Sequence, residues 1–135
     1  MIADYSHAIE LGLDVPAWVY ERRGDVYFFY KNDYDHAIAD YSQVIRLNPD
    51  ASTYYFRRGM AYFTKGDYDR AISDDSQVIK LNPSDASAYN ARGKTYERKG
   101  NWDQAVADYT EAIRLDSANV TYKQNLEFAR KQRGY

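Results

Sequence analysis

The chain has 135 residues, a length that suits one ordinary domain. Its 18 basic and 20 acidic side chains leave a formal charge of −2, which argues against a dedicated nucleic-acid binder and against a polybasic membrane anchor. The lack of cysteine removes disulfides, thiolate metal sites and cysteine nucleophiles together, and two histidines, His7 and His36, cannot make a three-histidine metal site within one chain.

Residues 1–16 open with an amphipathic stretch whose acids, Asp4 and Glu10, do not fit a secretory leader. Apolar runs are about one helical turn long, so no transmembrane span is expected and the default location is the cytoplasm. The string Ile2-Ala3-Asp4-Tyr5-Ser6 returns as Ile38-Ala39-Asp40-Tyr41-Ser42, so this segment reads as the second half of a repeating unit. Residues 17–51 read as the first whole unit. Tyr20, Gly24 and Tyr27 fall at i, i+4 and i+7, on one face of a predicted helix. Asn32 is expected to end it in a left-handed conformation, and Asp33 to cap a second helix.

Residues 52–85 and 86–119 repeat the plan. The string Gly59 to Ile72 returns, at an offset of 34 and without a gap, as Gly93 to Val106, keeping its glycines, first tyrosine, lysine, second aspartate and the alanine near its end. Tyr55/Gly59/Tyr62 and Tyr89/Gly93/Tyr96 are the helix stripes, Gly66 and Gly100 the expected left-handed ends, and Asp67 and Asn101 the caps, with Gln104 completing an approximate capping box. The first unit holds one extra residue between Gly24 and Asn32, read as a π-bulge or a longer turn. Asn48-Pro49 and Asn82-Pro83 are predicted to end the second helices. A glycine costs a helix about 1 kcal/mol against alanine, so its recurrence implies a close approach, matched by Ala37, Ala71 and Ala105 on the second helices. Leu47, Leu81 and Leu115, with Ile45, Ile79 and Ile113, are the expected aliphatic core. Residues 120–135 read as a closing helix with Tyr122, Leu126, Phe128 and Ala129 inward. No linker interrupts the series, so residues 1–135 are taken as one domain.

These spacings resemble the tetratricopeptide repeats over nearly the whole chain. The resemblance implies an all-α fold: a right-handed superhelical α-solenoid of antiparallel helix pairs, with about three full repeats, an N-terminal half repeat and a C-terminal capping helix. Departures are visible. Arg23, Arg58 and Arg92 stand where leucine is commonest, and Asp75 stands where Tyr41 and Tyr109 keep an aromatic. The arginines are expected to pair with Asp4, Asp40, Asp74 and Asp108, on the preceding or the same helix pair, rather than to form a row for an anionic ligand. Asp75 reads either as a tolerated substitution at a partly exposed seam or as a carboxylate placed for a partner.

The resemblance also puts ligands on a concave surface lined mainly by first helices. The helix face away from the tyrosine–glycine stripe gives Trp18, Glu21, Asp25, Phe28 and Phe29 in the first unit. In the second it gives Thr53, Phe56, Met60, Phe63 and Thr64, and in the third Ser87, Asn90, Lys94, Glu97 and Arg98. These sets are acidic and aromatic, then apolar, then polar with two cations. Variation at otherwise equivalent positions is where specificity can be written. A subset of the family clamps chaperone C-terminal carboxylates with lysine, asparagine and arginine; those places here carry Glu21, Asp25, Arg57, Ser87 and Ala91, two of them acidic. The expected function is therefore a protein-interaction scaffold binding a partner's peptide segment in the groove, without that clamp. The alternative is self-assembly, a homo-oligomer formed through residues 1–16. No enzyme, cofactor, metal, nucleic-acid or membrane partner is expected, because no nucleophile–base pair, phosphate loop, ligand spacing or basic track is present.

Overall fold

The computed structural model describes residues 1–134, which contain eight α-helices and no strand. They are α1 (Ile2–Glu10), α2 (Ala17–Tyr30), α3 (Tyr34–Leu47), α4 (Ser52–Lys65), α5 (Tyr68–Leu81), α6 (Ala86–Arg98), α7 (Trp102–Leu115) and α8 (Val120–Arg133). Each helix packs on its neighbours in the chain. The hairpins α2–α3, α4–α5 and α6–α7 join through α3–α4 and α5–α6, and α8 closes on α7.

The tight turns follow from single residues. Gly66 and Gly100 take φ of 80° and 76°, and Asn32 is the one described non-glycine residue at positive φ, 51°. Asp33 and Asp67 accept the backbone N–H of His36 and Arg70 at the starts of α3 and α5. Asn101 holds the same place before α7, but its side chain makes no capping bond, so the capping box with Gln104 does not form. The extra residue of the first unit is absorbed in the last turn of α2. There Asp33 N–H reaches Tyr27 O, one residue further back than the equivalent bonds Asp67 to Tyr62 and Asn101 to Tyr96.

The core is made of small and aromatic side chains more than of leucine. Ala37, Ala71, Ala105, Tyr41 and Tyr109 are sealed, and Val44 and Val78 are almost so. Leu47, expected inside, is 45% exposed. At 100° per residue it lies about 80° around the helix from Ala37, and it is the last residue of α3. Leu81 and Leu115 are half-buried, as are Ile79 and Ile113, while Ile45 is buried. Phe128, expected inward, is 47% exposed, although its ring meets the Trp102 edge at 6.1 Å.

The glycine notches are occupied unequally. A Cβ on Gly24 would meet the Tyr41 ring at 2.9 Å, and one on Gly93 the Tyr109 ring at 2.8 Å. On Gly59 it would meet an Asp75 carboxylate oxygen at 3.1 Å and, in ordinary contact, the Asp74 Cβ at 3.4 Å. Gly93→Ala is therefore expected to destabilise by about 1–3 kcal/mol through overpacking. Gly59→Ala should stay within about 1 kcal/mol of the parent, because the gain in helix propensity offsets a mild contact. Urea melts of the two variants check the difference.

Arginines bind the hairpins into a stack. Arg23 grips Asp40 through Nε and Nη2 at 2.8 and 2.7 Å, and its Nη1 donates to Ser6 at 3.1 Å. Arg58 repeats this with Asp74 and Ser42, and Arg92 with Asp108 and Ser76. Each guanidinium thus joins its own helix, the partner helix of the same pair and the helix before. These bonds raise all three arginine pKa values further above their ordinary range. Asp4, the fourth aspartate of the series, takes no arginine; it is exposed and pairs with the N-terminal amine.

Candidate functional site

Helices α2, α4 and α6 carry the residues that differ between units, and the differences make two distinct clefts. The first is polar. Trp18, Glu21 and Asp25 of α2 line it with Arg22, Tyr54 and Arg57. Asp25 pairs with Arg57 and also accepts the Tyr41 hydroxyl at 3.0 Å. The Arg57 guanidinium lies 5.4 Å from the centre of the Tyr54 ring. Burial, followed by a hydrogen bond to Glu21, pushes the Tyr54 phenol up to about 12. Every charge in this cleft that the clamp positions supply is thus already engaged by a neighbour in the fold.

The second cleft lies between α4 and α6, with a volume of about 290 Å³. Phe56, Met60, Phe63 and Thr64 form one wall; Ser87, Asn90, Lys94 and the backbone-close Ala91 and Thr95 form the other. Met60 is 40% exposed, while the two phenylalanines are half-buried. Arg98 lies over the Phe63 ring at 5.3 Å, and Asn90 accepts from the Asn125 amide of α8 at 2.9 Å. Thr53 sits in a smaller hollow next door, shared with Phe56 and Ser87.

Two candidates from the sequence are turned to other uses. Phe28 packs within its own hairpin, against the rings of Phe29, Tyr34 and Tyr41 at 4.8, 5.4 and 6.5 Å. Glu97 accepts the Tyr109 hydroxyl at 2.8 Å. The others divide between the two clefts and their rims: Trp18, Glu21 and Asp25 at one, and Phe56, Met60, Phe63, Asn90, Lys94 and Arg98 at the other.

The residue that shapes the second cleft is Asp75, which the sequence reading kept apart from the site. It is 3% exposed, so the expected partly exposed seam is in fact sealed. In α3 and α7 the equivalent position is a tyrosine whose ring fills the notch beside a glycine and whose hydroxyl finds an acid, Asp25 or Glu97. In α5 the ring is missing, and the space beside Gly59 stays open as the cleft. Asp75 lines it and has no hydrogen-bond partner among the described residues. Burial, and then the charge of adjacent Asp74, push its carboxyl up to about 8 against the opposing pull of Arg92. The break in the tyrosine period was the signal available in the sequence; the cavity behind it was not.

Comparison with known proteins places the chain. Family models described as TPR repeat and tetratricopeptide repeat match residues 59–100, 26–75 and 86–119. No curated protein matches the sequence. Among solved structures, the first TPR of Spaghetti (RPAP3), bound to the HSP90 peptide SRMEEVD, is similar at 26% identity over 88% of this chain and 94% of that one, with a TM-score of 0.82. The TPR domain of Arabidopsis OM64 is similar at 26% identity over 85% and 94%, with a TM-score of 0.78. MamA shares the fold over 98% of this chain and 72% of its own, at 22% identity and a TM-score of 0.89.

Proposed function

Because the chain belongs to the tetratricopeptide repeat family, we propose that it is a protein-interaction scaffold that receives a partner's peptide segment along α2, α4 and α6. The observation that carries this is the cleft at Phe56, Met60 and Phe63, an open apolar recess with a polar rim at the centre of that surface. Family neighbours point the same way. The first TPR of Spaghetti is bound to an HSP90 peptide, and the second TPR domain of human RPAP3, 25% identical, is in complex with an HSP70 peptide. The role is binding, and the groove needs no cofactor for it.

The segment bound is not a chaperone C-terminal carboxylate in this reading. Asp25 stands in the clamp region and takes up Arg57, and Glu21 adds a second negative charge. An incoming carboxylate would meet repulsion where the clamp supplies donors. A peptide library displayed against the parent chain and a Phe56→Ala/Met60→Ala variant tests the groove. Loss of about tenfold or more in affinity is expected, since truncating central apolar anchors costs over about 1 kcal/mol each. Equal binding by both chains would move the site elsewhere.

Self-assembly is the second reading. It is favoured by α1, which buries none of its residues, and by Leu11 and Leu13, which are 60% and 56% exposed just after it. The prediction is a dimer, measured by light scattering, that is lost when residues 1–13 are removed. A parent chain that stays monomeric at high concentration ends this reading.

A further inference from the structure

The cleft at Asp75 holds a buried acid and apolar walls, a combination that selects for one kind of side chain. Resting on the groove reading above, we propose that this cleft is a selectivity pocket for a lysine or arginine of the bound segment. The aliphatic stem lies along Phe56, Met60 and Phe63, and the cationic head meets the Asp75 carboxylate.

Four observations converge on that occupant. Asp75 is 3% exposed and has no hydrogen-bond partner among the described residues, so a ligand reaching it supplies its first one. A basic side chain entering the recess releases the Asp75 proton to solvent and pairs with the carboxylate that remains, a charge-assisted bond that the fold itself does not give this group. The wall is a stripe of Phe56, Met60 and Phe63, which suits the methylenes of a long basic side chain and, for arginine, the flat face of its guanidinium. An aliphatic side chain of the same length would fill the recess but seal the acid in without a bond. An acidic one would face Asp75 at close range.

The charges around the pocket agree. Asp74, Asp85 and Asp108 bear on Asp75 with negative charge, and Arg92 opposes them. Arg92 is committed to Asp108 and Ser76, and Arg58 to Asp74 and Ser42. Lys94 is the cation on the cleft wall; its side chain is exposed, at the rim, and does not bond Asp75. The position is also singular within the array. The other two hairpins plug the same notch with Tyr41 and Tyr109, which are wholly buried. Among the described residues the middle repeat is the one that leaves this notch without a ring, so the pocket would fix the register of a bound segment as well as its composition.

The test uses the full chain and an array of nine-residue peptides with mixed flanks and one fixed central residue. The centre is lysine, arginine, norleucine, tyrosine or glutamate. Three proteins are compared: the parent, Asp75→Asn, which keeps the shape but cannot ionise to meet a cation, and Asp75→Tyr, which fills the recess. The parent is expected to retain lysine- or arginine-centred peptides about tenfold over norleucine, the scale of a charge-assisted hydrogen bond. Asp75→Asn should lose that preference and still retain the norleucine peptides, and Asp75→Tyr should lose the central selectivity altogether. Thermal melts confirm that both variants fold. A preference for the cation that survives Asp75→Asn would put its partner elsewhere and overturn the proposal, as would a parent preference for norleucine or tyrosine. Retention that is equal for every centre overturns the pocket alone. No retention of any peptide by the parent overturns the groove reading together with it.

Discussion

Arg58→Leu is expected to lower stability by about 3–5 kcal/mol, and the melting temperature by roughly 10–20 °C. The reason is the carboxylate it abandons. Asp74 is 4% exposed, and both its oxygens are held by Arg58, at 2.7 and 2.8 Å. Without the guanidinium, a buried charge remains with neither water nor a counter-ion. The Ser42 hydroxyl loses its donor as well; it keeps its own bond to Ile38 O at 2.7 Å. Removing both charges should be far milder. Arg58→Leu/Asp74→Leu leaves no uncompensated ion, and buried pairs replaced by apolar side chains are often neutral or better. A double-mutant cycle by urea denaturation therefore should show strong coupling, with the double variant more stable than Arg58→Leu alone. Additive losses would mean that the pair contributes only packing. The triad lies in the seam between α3, α4 and α5 and does not itself line either cleft, so the double variant should still bind peptides, although the loss of the Asp74 charge beside Asp75 changes the field in the second cleft.

Much of this architecture was legible because repetition turns weak signals into strong ones. One glycine in a helix says little; Gly24, Gly59 and Gly93 beside the recurring alanines mark a notch, and all three are buried. Arginine before each glycine likewise predicted a pairing, which the structure assigns to the same hairpin in every unit. The failures have one cause. Periodicity identifies a face, but it does not say how far a neighbouring helix covers it. Leu47 carries the right residue type at the end of a helix and stays exposed. Phe28 is on the expected face but is drawn into its own hairpin by three rings. Asp75 was visible as an exception, yet its consequence is a volume, and a volume is set by what three helices leave unfilled.

That volume gives the second large effect. Asp75→Tyr is expected to raise stability by about 2–3 kcal/mol and the melting temperature by roughly 5–10 °C, because a ring fills the space and a buried acid disappears. Asp75→Phe should do at least as well. The acids that accept the Tyr41 and Tyr109 hydroxyls, Asp25 and Glu97, correspond in the middle unit to Met60 and Phe63, which accept nothing. The gain should also depend on pH, with a defined sign. Unfolded, Asp75 ionises near its ordinary value of 3.8; folded, it holds its proton up to about 8. Below about pH 4 both states are protonated and the folded chain carries no ionisation cost. As pH rises toward 8 the unfolded state loses the proton while the folded state keeps it, so the parent loses stability across that window. Above 8 the loss levels off. The other titrating groups are common to parent and variant, so the difference between their stability curves isolates Asp75. Denaturant melts from pH 4 to pH 9 should therefore show a gap that widens to about pH 8 and then stays constant. A gap independent of pH would mean that Asp75 is charged in the fold throughout, and that the stabilisation comes from filling space alone. If the gap widens as described, the middle repeat keeps an empty notch and an unfavourable acid that a single aromatic would cure. The sacrifice of stability then falls at the same residue on which selection of a basic side chain would depend.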